Sequence, residues 1–222
     1  MIKLEDIIIR TNKGKIILEN INLFFPTGSV IWVDGRPGSG KTSLINLLGL
    51  VTPPMAGSYS FMGKNLKKLH RKEILQCHKE ISIVFEKRKF IENFSVKENI
   101  IFPMIMNNDR IEEIEYALKE LVPWLNLDNI IDESICSLSS SEIKTVQFAR
   151  AIIARPRLLL IDNFFSNIES SLEKKMIYLT LALNKIGTTV VIVGKSPENS
   201  LIRYDLKYNI TNKTINEVRN SS

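Results

Sequence analysis

Apolar positions along the chain follow two rhythms. Short runs with period-two or near-continuous apolar spacing, MIKLEDIII, KIILENINLFF, VIWVDG, GSYSFMG after a Pro-Pro turn, and EISIVF, predict strands. From about Glu92 to Ile153 the spacing turns helical, clearest in IEEIEYALKELVPWL and SEIKTVQFARAII. RLLLI and TTVVIVG then restore the strand pattern on either side of the amphipathic stretch SSLEKKMIYLTLALNKIG. Strands alternating with helices predict an α/β domain: a mostly parallel core sheet covered by helices, opening with an N-terminal β part. A helical insert is expected over about 87–156, inside a core formed by about 1–86 and 157–222. No internal repeat is present, and the polar end NEVRNSS reads as a frayed tail.

Composition narrows this little. At 222 residues and 44% hydrophobic the chain can fill the core of one α/β unit. No apolar run reaches the roughly 18 residues needed to span a bilayer, and MIKLEDIIIR carries acids where a signal peptide needs a basic start, so a cytosolic location is expected. Cys77 and Cys136 lack the paired spacing of a zinc site and read as reduced thiols used in packing. The net charge of +6 is partly gathered between Lys64 and Lys89. A solvated face explains this cluster, as do nucleic acid, an anionic membrane surface or nucleotide phosphates. HRKEILQCH sets His70, Cys77 and His78 close together, but no carboxylate or further Cys completes a coordination set, and an exposed basic helix is expected there.

The sharpest local signal is GRPGSGKT, Gly35 to Thr42, which fits G-x-x-x-x-G-K-[ST] between a buried strand and the helical stretch SLINLLGL. Gly35, Gly38 and Gly40 let the backbone curl, so that successive N–H groups along Gly35, Arg36, Pro37 (which itself has none), Gly38, Ser39, Gly40, Lys41, Thr42 and Ser43 point inward at phosphate oxygens, and the following helix adds its positive N-terminus. Lys41 is expected on the β- and γ-phosphates and Thr42 on Mg2+. In such a P-loop fold a carboxylate ending a neighbouring strand serves the same Mg2+, and Asp162, closing RLLLID, is placed for it.

Between Gly35 and Asp162 the chain resembles the nucleotide-binding subunits of ABC transporters. ISIVFEKRKFIENFSVKENI is similar to their Q-loop region, and SLSSSEIKTVQFARAIIARPRLLLID to their signature helix running into Walker B. The resemblance implies a P-loop NTPase (RecA-like) core sheet, an antiparallel β part and an inserted α-helical subdomain. MIKLED, FSVKENIIFPMI and the short C-terminus look most like the FtsE cell-division group, a layout shared with the LolD and MacB ATPases. That likeness implies ATP and Mg2+, a dimer of two such subunits, homotypic or heterotypic, and an FtsX-like integral membrane subunit at the inner membrane. A groove between core and insert would grip that subunit, through Phe90, Phe94 and Phe102 among others, packing inside the insert being the alternative for each ring. No nucleic acid is expected, since no recognition helix, zinc motif or coiled-coil insertion is present.

Carried over by position, the family pattern is broken in several places. Asn163 stands where a catalytic Glu is expected, Glu86 where the Q-loop has Gln, and Lys195 where the switch His belongs. The signature reads Leu138, Ser139, Ser140, Ser141, Glu142, the aromatic A-loop position falls on Thr11, and the D-loop is Ser166, Asn167, Ile168, Glu169. An amide cannot take a proton from water, and losing a positioned base typically costs about 10²–10⁴-fold in rate. The substitutions spare the triphosphate and Mg2+ groups and strike those that activate water, so binding is expected to survive better than turnover. Ser140 and Ser141 would cost about 1 kcal/mol or more if either position required positive φ. Alternatively Glu86 acts as a substitute base or Mg2+ ligand, and Lys195 neutralises phosphoryl charge.

Overall fold

The computed structural model describes residues 2–11, 13–87, 90–165, 168–194 and 202–218. Strands β1 (Ile2–Arg10) and β2 (Ile16–Phe25) pair antiparallel, and β4 (Ala56–Phe61) with the two-residue β5 (Lys64–Asn65) extends them into a sheet of order β2-β1-β4-β5. A second sheet has the order β10-β9-β3-β8-β7-β6, from β3 (Val30–Gly35), β6 (Ile81–Val84), β7 (Leu158–Asp162), β8 (Thr189–Val193), β9 (Leu206–Thr211) and β10 (Thr214–Glu217). All neighbours in it are parallel except the β9–β10 hairpin.

The second sheet is buried on both faces, which is why its central strands are continuous apolar runs rather than alternating ones. Ile31, Val33, Leu158, Leu160, Val191 and Val193 point into one core, where α1 (Lys41–Leu48) lies against the first sheet. Val30, Trp32, Leu159, Ile161, Val190 and Ile192 point into the other, beneath α3 (Val96–Asn107), α4 (Ile111–Trp124), α5 (Ser140–Ile152) and α6 (Ser170–Lys185). Side chains in a strand alternate faces, so each strand serves both cores with successive residues. Helices α3, α4 and α5 all lie between β6 and β7 in the chain.

Local signals set the helix ends. Ser95 and Glu98 form a capping box on α3, with Ser95 N–H donating to Glu98 Oε2 at 2.7 Å and Glu98 N–H to Ser95 Oγ at 3.2 Å. The basic helix α2 (Arg71–Lys79) is exposed at Arg71, Lys72 and His78 and turns Cys77 inward.

Two expectations need correction. Cys136 is exposed, so only Cys77 is a packing thiol. The C-terminal stretch is not frayed throughout: Asn216 and Glu217 belong to β10, held opposite Asn209 and Tyr208, because β9 docks parallel to β3 and carries the hairpin with it. The rest of that tail, from Arg219, lies outside the described residues.

Candidate phosphate-binding site

The loop between β3 and α1 forms the floor of a cleft of about 1170 Å³, lined by every residue from Asp34 to Ser43. Gly38 has φ 76° and Gly40 φ 106°, left-handed conformations in which a side chain is strained. A Cβ on Gly40 would lie 2.8 Å from Ile17 Cγ2, and one on Gly35 would lie 2.6 Å from Ser39 Oγ. Gly40 caps α1 with backbone alone, no side chain caps that end, and no acid lies in its first turn. The first N–H groups of a helix have no intrahelical partner, so those of α1 face the cleft as anion donors.

Lys41 folds over the loop, its Nζ donating to the Gly35 carbonyl at 2.6 Å and the Arg36 carbonyl at 2.9 Å. Ser39 Oγ is buried without a hydrogen-bond partner. Asp162, at the end of β7, is 3% exposed and accepts a hydrogen bond from the Thr42 hydroxyl. Burial pushes its carboxyl above the ordinary Asp value; the Thr42 bond pulls it down, Glu86 pushes it up again, and Lys41 opposes that. The cluster pairs one carboxylate with one hydroxyl beside a partnerless hydroxyl and a cation, a set of hard oxygen donors suited to Mg2+ and phosphate together. No group of three His, Cys, Asp or Glu capable of holding a metal occurs among the described residues.

Glu86 and Asn163 line the same cleft. Asn163 sits at φ 47°, its N–H donates to the Val193 carbonyl at 2.7 Å, and its Nδ2 donates to Glu86 Oε1 at 3.1 Å. The segment carrying Glu86 is held from α5, where buried Gln147 donates through Nε2 to the Phe85 carbonyl at 2.6 Å. Lys195, Ser166 and Asn167 lie outside the described residues. At Gly194, the last described residue before that gap, the carbonyl accepts from the Trp32 indole N–H at 3.0 Å.

The signature residues Ser139, Ser140, Ser141 and Glu142 do not line the cleft; they form the N-terminus of α5, where Ser139 and Glu142 make a capping box. Ser139 Oγ donates to Glu142 Oε2 at 2.6 Å, which with the Ser139 N–H holds that carboxyl below its ordinary value. Neither Ser140 nor Ser141 adopts positive φ, so the strain expected of a Gly-to-Ser change there does not arise. Phe90 lies 5.3 Å beneath the Arg150 guanidinium, and Phe94 meets Phe102 edge to face at 6.0 Å.

Thr11 lines the cleft but spends its hydroxyl on its own turn, accepting from the Lys15 N–H at 3.1 Å. No aromatic ring lines the cleft among the described residues. Sequence reasoning missed the opposite wall. Asn212 (φ 49°) and Lys213 (φ 64°) form the β9–β10 turn, the Lys213 carbonyl accepts from the Glu19 N–H at 2.9 Å, and both line the cleft with Ile210. The pair Asn-Lys between NIT and TIN was a legible hairpin signal.

Sheet order and cleft together define a P-loop α/β domain whose glycine-bent loop and helix N-terminus form the candidate phosphate site. The chain belongs to the ABC transporter family, whose model matches residues 18–166. It is 29% identical over 181 residues to the methionine import ATP-binding protein MetN of Legionella pneumophila, covering 81% of this chain and 53% of that protein. It is 30% identical over 183 residues to the macrolide export ATP-binding/permease protein MacB of Campylobacter jejuni, covering 82% of this chain and 28% of that protein. The chain spans about half the length, or less, of these curated relatives. In fold it matches the dimeric ATP-binding cassette MJ0796, in a post-hydrolysis state bound to ADP and Pi, with a TM-score of 0.87 over 99% of both chains at 22% identity.

Proposed function

We propose that the protein is the ATP-binding subunit of an ABC-type membrane complex, and that it turns ATP over slowly. The observation that carries this is the cradle itself: Lys41 and the bare N-terminus of α1 converge on the space into which Thr42 and Asp162 present their oxygens. Gly35 to Ser43 would wrap the phosphates, with Lys41 shifting its ammonium from loop carbonyls to phosphate oxygens. Thr42 and Asp162 would hold Mg2+, and Glu86 lies close enough to Asp162 to raise its carboxyl. The bound Mg2+ would supply Lewis-acid stabilisation of the phosphate charge. Asn163 removes the base expected at that position, which supports slow hydrolysis.

Two copies would stack head to tail, each α5 N-terminus facing the other's cradle, either as a homodimer or with a related subunit. The likeness to a methionine import ATP-binding protein and to a macrolide export ATP-binding/permease protein supports action together with a membrane-embedded permease part. No helix among the described residues is long and apolar enough to cross a membrane. Residues from about 87 to 156 would form the insert that meets the partner. In the finer reading, supported by the stretch FSVKENIIFPMI, the partner is FtsX-like and the complex controls cell-wall hydrolysis at division. The similarity to MacB favours the second reading, an ATPase that energises a transporter.

The test measures ATP affinity with Mg2+ and phosphate release on the purified chain against Lys41→Ala. Micromolar binding lost in the variant supports the assignment; binding equal in both sinks it. Deleting the gene separates the finer readings: a septation defect supports the FtsE-like one, and normal septation with lost export supports the other.

A further inference from the structure

Among the described residues three carboxylates line the cleft: Asp34, Glu86 and Asp162. Asp34 Oδ1 accepts from the Gly35 N–H at 2.6 Å, and Asp162 is tied to the Thr42 hydroxyl beside Lys41. Glu86 differs. It is exposed to the cleft, its Oε1 accepts from the Asn163 amide, and its Oε2 makes no hydrogen bond among the described residues. The sheet explains why these two side chains meet. Strands β6 and β7 run parallel with Val84 opposite Ile161, so residues 86 and 163, two steps beyond that pair, leave the sheet side by side at its C-terminal edge. Gln147 holds the chain on one side of this contact through the Phe85 carbonyl, and the Val193 carbonyl holds the Asn163 N–H on the other.

We infer that Glu86 is the general base for ATP hydrolysis in this protein and that Asn163 is its positioning residue. This rests on the ATP-binding reading. An amide at 163 can donate but cannot accept a proton, whereas the carboxylate facing it lines the cleft and keeps one oxygen, Oε2, without a hydrogen bond among the described residues. Donation from Asn163 to Oε1 fixes the carboxylate plane and leaves Oε2 for a water molecule. That water gives its proton to Glu86 as its oxygen bonds to the γ-phosphorus. The bond from the γ-phosphorus to the β–γ bridging oxygen breaks, its electron pair leaving with ADP. Glu86 then returns the proton to inorganic phosphate or to solvent, so the reaction balances as ATP and water to ADP and phosphate. Base and amide thus occupy the two facing positions in the order opposite to that implied by the resemblance.

The experiment uses the 222-residue chain and four variants: Lys41→Ala, Glu86→Gln, Asn163→Ala and the exchange Glu86→Gln with Asn163→Glu. Phosphate release at saturating Mg-ATP is read beside ATP affinity and beside the nucleotide retained after ATP loading and desalting. Glu86→Gln is expected to slow release by at least about tenfold, within the range for a lost general base, with ATP affinity near the parent's and ATP as the retained nucleotide. Asn163→Ala slows release less. The exchange variant recovers release over Glu86→Gln, a rescue that a merely structural contact would not produce. Release from Glu86→Gln at the parent rate overturns the inference. So does a parent no faster than Lys41→Ala, or a Glu86→Gln variant whose defect is lost Mg-dependent affinity, which would make Glu86 a metal ligand instead. An exchange variant as slow as Glu86→Gln overturns the positioning role. If the parent binds no ATP, the ATP-binding reading itself fails, an outcome distinct from all of these.

Discussion

Helices α1 and α5 both begin directly after a small cap residue, Gly40 and Ser139, yet their N-termini are finished in opposite ways. At α1 the cap is Gly40, left-handed at φ 106°, with no side-chain cap and no acid in the first turn. At α5 the cap is Ser139, closed by a reciprocal box with Glu142, whose carboxylate sits on the helix end. A helix N-terminus carries roughly half a positive charge and unpaired N–H groups, which either a ligand or the chain itself must satisfy. The first end is left for a ligand; the second is satisfied from within. That difference accords with the proposed reading, in which the α1 end is the one that takes phosphate.

The comparison can be broken most severely at Lys41. Lys41→Ala removes the cation that crosses the α1 loop, and ATP affinity measured by calorimetry should fall by roughly 10–100-fold, as losing a charge-assisted hydrogen bond of about 1.5–3 kcal/mol implies. Gly40→Ala attacks the same end through the backbone. A Cβ there meets Ile17 at 2.8 Å in a left-handed conformation, and denaturant melts should show a loss of about 1–2 kcal/mol. An unchanged midpoint would mean the loop relaxes freely and is not a preformed cradle.

At α5, Ser139→Ala opens the capping box and should cost about 1 kcal/mol by the same melts, with Ser139→Gly costing less. Equal costs would mean that the box contributes nothing beyond backbone capping. The smallest effect concerns Asp162. Burial raises its folded-state pKa above the unfolded value, so its contribution is most favourable below the unfolded pKa and is lost as pH rises through the folded one. In chelator, Asp162→Asn should therefore melt slightly higher than the parent at neutral pH, and this gain should vanish as pH falls below about 4. A gain that grows toward acid would reverse the sign and refute burial as the dominant cause.

The cradle was legible because its information is local. Glycine spacing, one lysine and one hydroxyl act within a single loop and the helix it opens, and the apolar run before Asp162 marks a buried strand end wherever that strand lies. The far wall was not. Ile210, Asn212 and Lys213 reach the cleft only because β9 docks beside β3 in parallel, a pairing across more than 170 residues that no short-range period records. The strip Ser139 to Glu142 shows the converse: its residues are plain in the sequence, but their self-capping geometry, and the absence of positive φ at Ser140 and Ser141, required backbone angles.

The sequence by itself determined the strand and helix rhythm, the glycine-rich loop between β3 and α1, and the identities of the residues at positions 86 and 163. Only the tertiary structure decided that Glu86 and Asn163 touch. Parallel pairing of β6 with β7 sets two distant chain segments in one register, and a hydrogen bond at 3.1 Å is a property of that register rather than of either segment.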